Sequence, residues 1–193
     1  MKICSLLLPP APAHPQTPPK SLLSYGFFES SLGTVGLASC GGRLVASVFC
    51  GPEGDESLFR VLARAGFMAA RRDEAALTRA AGLLRRLATG EAAAPPPLLL
   101  RGTPFQLEVW SALARIPRGE TVSYRQLAEA LGRPQAARAI GQAVGANPLG
   151  VFIPCHRVVT SSGAPGGYAW GCWRKEALLQ AEAAPAPALA ASA

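Results

Sequence analysis

The 193-residue sequence predicts an α+β fold in two parts: a small α/β first part built on an antiparallel sheet, and a mostly helical second part. Three observations carry this. Residues 25–49 hold three short β-rich runs, YGFFES, GTVGLAS and RLVASVF, separated by Ser31-Leu32-Gly33 and Gly41-Gly42, the punctuation of a meander. Residues 103–183 repeat helix start signals and close them with glycine or Asn-Pro. Between the two, GEAAAPPPLLL contains Pro95, Pro96 and Pro97 and cannot continue a helix.

The elements follow in chain order. Residues 1–23 contain Pro9, Pro10, Pro12, Pro15, Pro18 and Pro19 and read as a flexible tail. The opening MKICSLLLPPAPAHPQ faintly resembles a signal peptide and ends in Ala11-Pro12-Ala13. Its apolar core of about six residues is shorter than the usual ~7–15, so it is read as a cytosolic tail. A first domain is expected over 24–94, with helices over 56–69 and 73–89. In the second helix Leu77, Ala80, Ala81, Leu84 and Leu87 make one apolar stripe with arginines opposite. Residues 95–102 form the linker and 103–183 the second domain. There Thr103, Pro104 and Gln106 spell a capping box with proline at the first helical position, and Phe105, Val109, Trp110 and Leu113 share a face. Ser123 and Gln126 repeat the device, and Gly132 ends that helix. RPQAARAIGQAVGANP, from Pro134 to Asn147-Pro148, is the next helix. Two short helices joined through Gly132-Arg133 have helix-turn-helix spacing. CWRKEALLQAE is a last amphipathic helix, with Trp173 expected in the core or an interface, and residues 184–193 read as a disordered tail.

Composition narrows the function classes. No apolar stretch approaches a membrane span, so no membrane association is expected. The net charge of +7 favours an anionic partner, nucleic acid first. Cys4, Cys40, Cys50, Cys155 and Cys172 are an odd set without CxxC spacing, neither a disulfide framework nor a zinc ribbon. They fit a reducing compartment: cytoplasm, or nucleus for a eukaryotic source.

Two constellations carry chemistry. The helix pair also occurs in domains that touch no DNA, but Arg138 favours a DNA role. It lies near the start of the second helix among Ala136, Ala137, Ala139 and Gly141, small residues that let a nucleic-acid backbone lie close. Against that stands a solvated arginine on an alanine-rich helix. The second constellation is VFIPCHRVV at 151–159, where Cys155 is either a small hydrophobe in a buried strand or a nucleophile kept dry. Apolar burial raises a thiol's pKa, so a reactive Cys155 needs a base. His156 is adjacent, and on a strand neighbouring side chains point apart. Either the backbone turns here or a water bridges the two. The other histidine, His14, lies in the proline-rich tail, which disfavours both a protease-like dyad and a metal site at Cys155.

With IPCHRVV, the segment TPFQLEVWSALARIPRGETVSYRQLAEALGRPQAARAIGQAVGANP and GYAWGCWRKEALLQAE, the sequence resembles the O6-alkylguanine-DNA alkyltransferases (methylated-DNA–protein-cysteine methyltransferases), of bacterial type, over roughly residues 25–183. The resemblance implies a ribonuclease-H-like first domain and a winged-helix-like second one. It implies that Cys155 takes the alkyl group from O6-alkylguanine by direct displacement, with O4-alkylthymine an open alternative substrate. His156 and Glu176 would relay the thiol proton, Tyr124 would donate to the leaving guanine, and Asn147 would organise the turn before the active-site segment. Arg138 would enter the duplex from the minor groove and replace a flipped base, with Ala136, Ala137, Gly141 and Arg133 at the DNA face. Val158, Tyr168, Ala169 and Trp170 would wall the guanine pocket, Trp170 narrowing it against bulky adducts. The partner implied is double-stranded DNA, bound by a monomer without a cofactor. Animal members hold a structural zinc, but Val45 stands where a histidine would follow Cys40, so no metal is expected. The rival readings are a non-catalytic alkyltransferase-like lesion binder, which lacks the acceptor cysteine, and a helix-turn-helix regulator with a structural cysteine.

Overall fold

The computed structural model describes residues 23–51 and 56–183. The two tails read from the sequence lie outside the described residues except Leu23, which is fully buried and opens the first strand. Strands β1 (Leu23–Ser30), β2 (Gly33–Cys40) and β3 (Arg43–Phe49) form the expected meander, pairing antiparallel in sequence order. A three-residue strand β4 (Ala70–Arg72) adds in parallel to β1, giving the order β3-β2-β1-β4. The triplet ARR has no strand pattern of its own; tertiary context puts it there.

Helix α1 (Glu56–Arg64) stops short of residue 69 because Gly66 adopts φ +78° and closes a Schellman motif, with Phe67 N–H donating to the Leu62 carbonyl at 2.9 Å. A 3₁₀ turn (Ala75–Leu77) leads into α2 (Thr78–Ala88). The helices cover opposite faces of the sheet, as the alternation along β2 requires. Val35 and Leu37 share a core cluster with Leu77, Ala81 and Leu84. Gly36 and Ala38 face α1, where a Cβ on Gly36 would meet Leu58 at 3.1 Å. Residues 97–99 run beside β3, the Leu44 N–H donating to the Pro97 carbonyl at 2.8 Å and Leu99 N–H to the Leu44 carbonyl at 2.9 Å.

In the second half α3 (Pro104–Leu113) and α4 (Tyr124–Ala130) each start at the capping box read from the sequence, with Thr103 paired to Gln106 and Ser123 to Gln126. Helix α5 (Ala137–Gly145) starts later than Pro134, which lies in the turn between helices. The buried Trp110 indole donates to the Ala143 carbonyl at 2.8 Å and fixes α3 against α5. Residues 151–159 are not one strand. Turns over 149–152 lead to a 3₁₀ turn (Cys155–Arg157), and only β6 (Val158–Val159) is extended, parallel to β5 (Val122–Ser123). Helix α6 (Cys172–Ala183) ends the described chain. Trp173 is not a core residue: it is 53% exposed, with the Arg174 guanidinium stacked on its ring. One core cluster runs through both halves, joining Val35, Leu37 and Leu84 to Val109, Leu113 and Ile140.

Candidate active site

Cys155 is buried at the floor of a cavity of about 210 Å³ lined by Tyr124, Gly141, Val144, Gly145, Gly167, Tyr168 and Ala169. The 3₁₀ turn brings the thiol there. Its position is fixed from the preceding loop by Asn147, itself buried. The Asn147 amide nitrogen donates to the Cys155 sulfur at 3.2 Å and to the Ile153 carbonyl at 3.0 Å, while its oxygen accepts from Leu149 N–H at 3.0 Å. The same loop is stitched to β3, with Ser47 N–H donating to the Pro148 carbonyl and Gly150 N–H to the Ser47 carbonyl. Val151, a β-branched residue, is held at φ +70°, a strained conformation that the surrounding bonds overcome.

Burial pushes the Cys155 thiol up. The opposing influences are the Asn147 donor, the Tyr168 hydroxyl and the charge of Lys175. The Tyr168 hydroxyl is buried and makes no hydrogen bond of ordinary geometry among the described residues, yet it stands close enough to the sulfur to favour its anion. Tyr124, which borders the cavity, has its phenol pKa raised by burial and by the neighbouring thiolate, so it holds its proton.

His156 does not line the cavity. Its Nε2 lies 3.0 Å from the Glu182 carboxylate, and both groups are buried. Arg157 adds a bidentate clamp on Glu182 at 2.8 and 2.7 Å. Burial pushes the Glu182 carboxyl up, but hydrogen bonds from His156 and Arg157, with their charges, outweigh it and hold the group at about 2. An ionised carboxylate requires the Nε2–H tautomer. That leaves the His156 Nδ1 lone pair, buried and without a hydrogen-bond partner among the described residues, as the basic atom. Burial lowers the His156 pKa despite Glu182, so the ring is neutral and ready to accept a proton.

Glu176 is the correction. It is exposed on α6 and does not pair with His156; the carboxylate beside the imidazole is Glu182. Val158 and Trp170 are also displaced from their expected place. Neither borders the cavity. Val158 is fully buried in β6, and its carbonyl accepts from Lys175 Nζ at 2.6 Å. Trp170 packs behind the wall on Tyr168 and Phe49, and fills the space over Gly150, where a Cβ would lie 2.8 Å from its ring. Tyr168 and Ala169 do border the cavity, and Gly141 lines it from α5. Arg138 and Ala139 are exposed on α5, Ala136 and Ala137 half-buried at its start. Arg133 is tied to α3 through Glu108 at 3.1 Å and the Phe105 ring. Residues the sequence reading missed are Glu182, Arg157, Val144, Gly145 and the fully buried Lys175. The Lys175 ammonium also reaches the Gly167 carbonyl at 3.3 Å and so secures the wall segment.

Known proteins share this arrangement of chain. The family model described as 6-O-methylguanine DNA methyltransferase, DNA binding domain, matches residues 104–184. Among curated proteins the chain is 58% identical over 87 residues to the bifunctional transcriptional activator/DNA repair enzyme Ada of Escherichia coli. It is 54% identical over 89 residues to a methylated-DNA–protein-cysteine methyltransferase of Mycobacterium bovis. These matches cover 45% and 46% of this chain, and 25% and 54% of the two relatives, so the chain spans a quarter to about half of the curated proteins it matches. The solved structure of Mycobacterium tuberculosis OGT in complex with DNA superposes with TM-score 0.72 at 37% identity, covering 86% of this chain and 96% of that one. An O6-methylguanine-DNA methyltransferase from the archaeon Pyrococcus kodakaraensis gives 0.65 at 26% identity, covering 84% of this chain and all of that one. With likeness extending through both halves of the fold, the chain belongs to the O6-methylguanine DNA methyltransferase family.

Proposed function

We propose that this protein repairs DNA by direct reversal, moving the alkyl group of O6-alkylguanine irreversibly onto Cys155, once per molecule. The observation that carries the reading is the buried Cys155 thiol at the floor of a base-sized cavity, beside a His156–Glu182 pair whose free imidazole nitrogen is a base. Glu182 orients the ring and stabilises its protonated form. Nδ1 takes the thiol proton through one bridging water. The thiolate attacks the alkyl carbon, a carbon–sulfur bond forms as the carbon–oxygen bond breaks, and the electron pair goes to guanine. Tyr124, which keeps its proton, hydrogen-bonds to the departing base, and the proton held on His156 returns through water to the guanine anion, which is restored as neutral guanine. The product thioether has no route back, so the protein is consumed.

The lesion has to leave the stack to reach the sulfur. Arg138, exposed on α5 with no hydrogen bond or ion pair among the described residues, is read as the side chain that takes the vacated place. Ala136 and Ala137 then permit close approach to the minor groove. We read residues 24–94 as scaffold, 95–102 as connector and 103–183 as the DNA-binding and acceptor domain. We read the protein as acting in the cytoplasm, or the nucleus of a eukaryotic source, as a monomer without a cofactor. No helix among the described residues is long and apolar enough to cross a membrane.

The test is restoration of guanine in a duplex carrying O6-methylguanine. One lesion is expected to disappear per protein added, with no turnover, and Cys155→Ser to abolish repair while retaining binding. Repair by Cys155→Ser, or repair of many lesions per molecule, would refute the reading.

A further inference from the structure

We propose that Gly90, in the first half of the chain and outside the cavity, is a positioning residue for the Glu182 carboxylate. The inference rests on the relay role given to Glu182 above.

Three contacts converge on the last turn of α6, the turn that carries Glu182. A helix's final carbonyls have no partners within the helix. Here Arg118 Nη2 donates to the Ala181 carbonyl at 3.1 Å, and Gly119 N–H reaches the Glu182 carboxylate at 3.4 Å. Gly90 closes the third side. It is buried, ends α2 with φ +80°, and completes a Schellman motif in which Glu91 N–H donates to the Arg86 carbonyl at 2.9 Å. A Cβ built on Gly90 would stand 2.6 Å from the Ala181 carbonyl carbon and closer still to its oxygen. The obstacle is backbone, so no rotamer change relieves it. Either α2 or the end of α6 must move, and Ala181 is adjacent to Glu182. The end of α2 is therefore a backstop that sets how far the carboxylate reaches toward His156 Nε2.

Gly42 supplies the matching control. It has φ +73°, in the β2–β3 turn, and a Cβ there would meet nothing within 4 Å. Gly42→Ala thus imposes the same backbone strain without the collision.

The experiment is single-turnover methyl transfer from an O6-methylguanine duplex to the full chain, measured between about pH 6 and 9, for wild type, Gly90→Ala, Gly42→Ala, Glu182→Gln and the Gly90→Ala/Glu182→Gln pair. Glu182 raises the basicity of His156, so a displaced carboxylate makes the ring a weaker base, which lowers the plateau rate and moves the acid limb of the rate profile to lower pH. Gly90→Ala is expected to slow transfer about tenfold near neutrality, with that downward shift of the acid limb, and to add nothing in the Glu182→Gln background. Gly42→Ala keeps the wild-type profile. Arg118→Gln, which loosens the same turn without a collision, shifts the profile the same way and decides the matter should Gly90→Ala not fold. A wild-type profile in Gly90→Ala and Arg118→Gln, or an equal loss with Glu182 already replaced, would overturn the proposal. A wild-type rate in Glu182→Gln itself would instead refute the relay.

Discussion

Residues 147–157, just after α5, and residues 132–142, the turn before α5 with its first two-thirds, are equal in length, and they use their polar groups in opposite ways. In the first, every residue but Arg157 is buried, and Asn147, His156 and Arg157 are held by named partners within the protein. In the second, Arg133, Gln135, Arg138 and Gln142 face solvent, and Arg138 makes no hydrogen bond or ion pair among the described residues. A group that must be reactive on its own is fixed in advance by the fold. A group that must meet a variable duplex is left to find its partner there.

The sharpest way to break this contrast is Asn147→Ala. It leaves Leu149 N–H buried without a partner, takes from the Ile153 carbonyl one of its two donors and frees the sulfur. A loss of about 2–3 kcal/mol in denaturant unfolding is expected, with transfer slowed about a hundredfold. Glu182→Gln comes next. It keeps the shape but weakens the pull on the imidazole, and should slow transfer by about a hundredfold, whereas Glu176→Gln, on the exposed face, should react at the wild-type rate. Rapid-quench kinetics on the two variants distinguishes them.

The same carboxylate gives the protein an acid edge. Its pKa of about 2 in the fold lies below the ordinary 4.5, so its contribution to stability is complete above 4.5 and is lost as pH falls through about 2. Thermal unfolding followed down that range should show a steeper decline for wild type than for Glu182→Gln. The smallest effect on the fold belongs to the other stretch. Arg138→Ala should change stability by no more than about 0.5 kcal/mol, yet weaken lesion-duplex binding about tenfold and lessen its salt dependence. Transfer from free O6-alkylguanine should be untouched.

What the sequence disclosed follows the same division. Local signals were legible because local physics sets them: both capping boxes, the β1–β3 meander and the α2 stripe are nearest-neighbour matters. The partner of His156 was not, although one pattern pointed to it. On α6 the buried residues Lys175, Leu178 and Glu182 are spaced three and four apart and share a face, while Glu176 is rotated about 100° from Lys175. The resemblance suggested Glu176; helical period selects Glu182. Residues 151–159 misled in another way, since an apolar run bounded by valines reads as strand, and only the contacts of Asn147 and Ser47 fold it into turns. Trp170 was read as pocket wall from the resemblance. Gly150, distant in sequence, provides the slot that draws its ring behind the wall.

The central claim is tested most directly by incubating the reduced protein with a duplex bearing one O6-methylguanine and mapping its cysteines by peptide mass spectrometry. A single added methyl on the Cys155 peptide, with the exposed Cys172 unmodified, is the predicted result. An unmodified Cys155, or methyl spread over other cysteines, would contradict it.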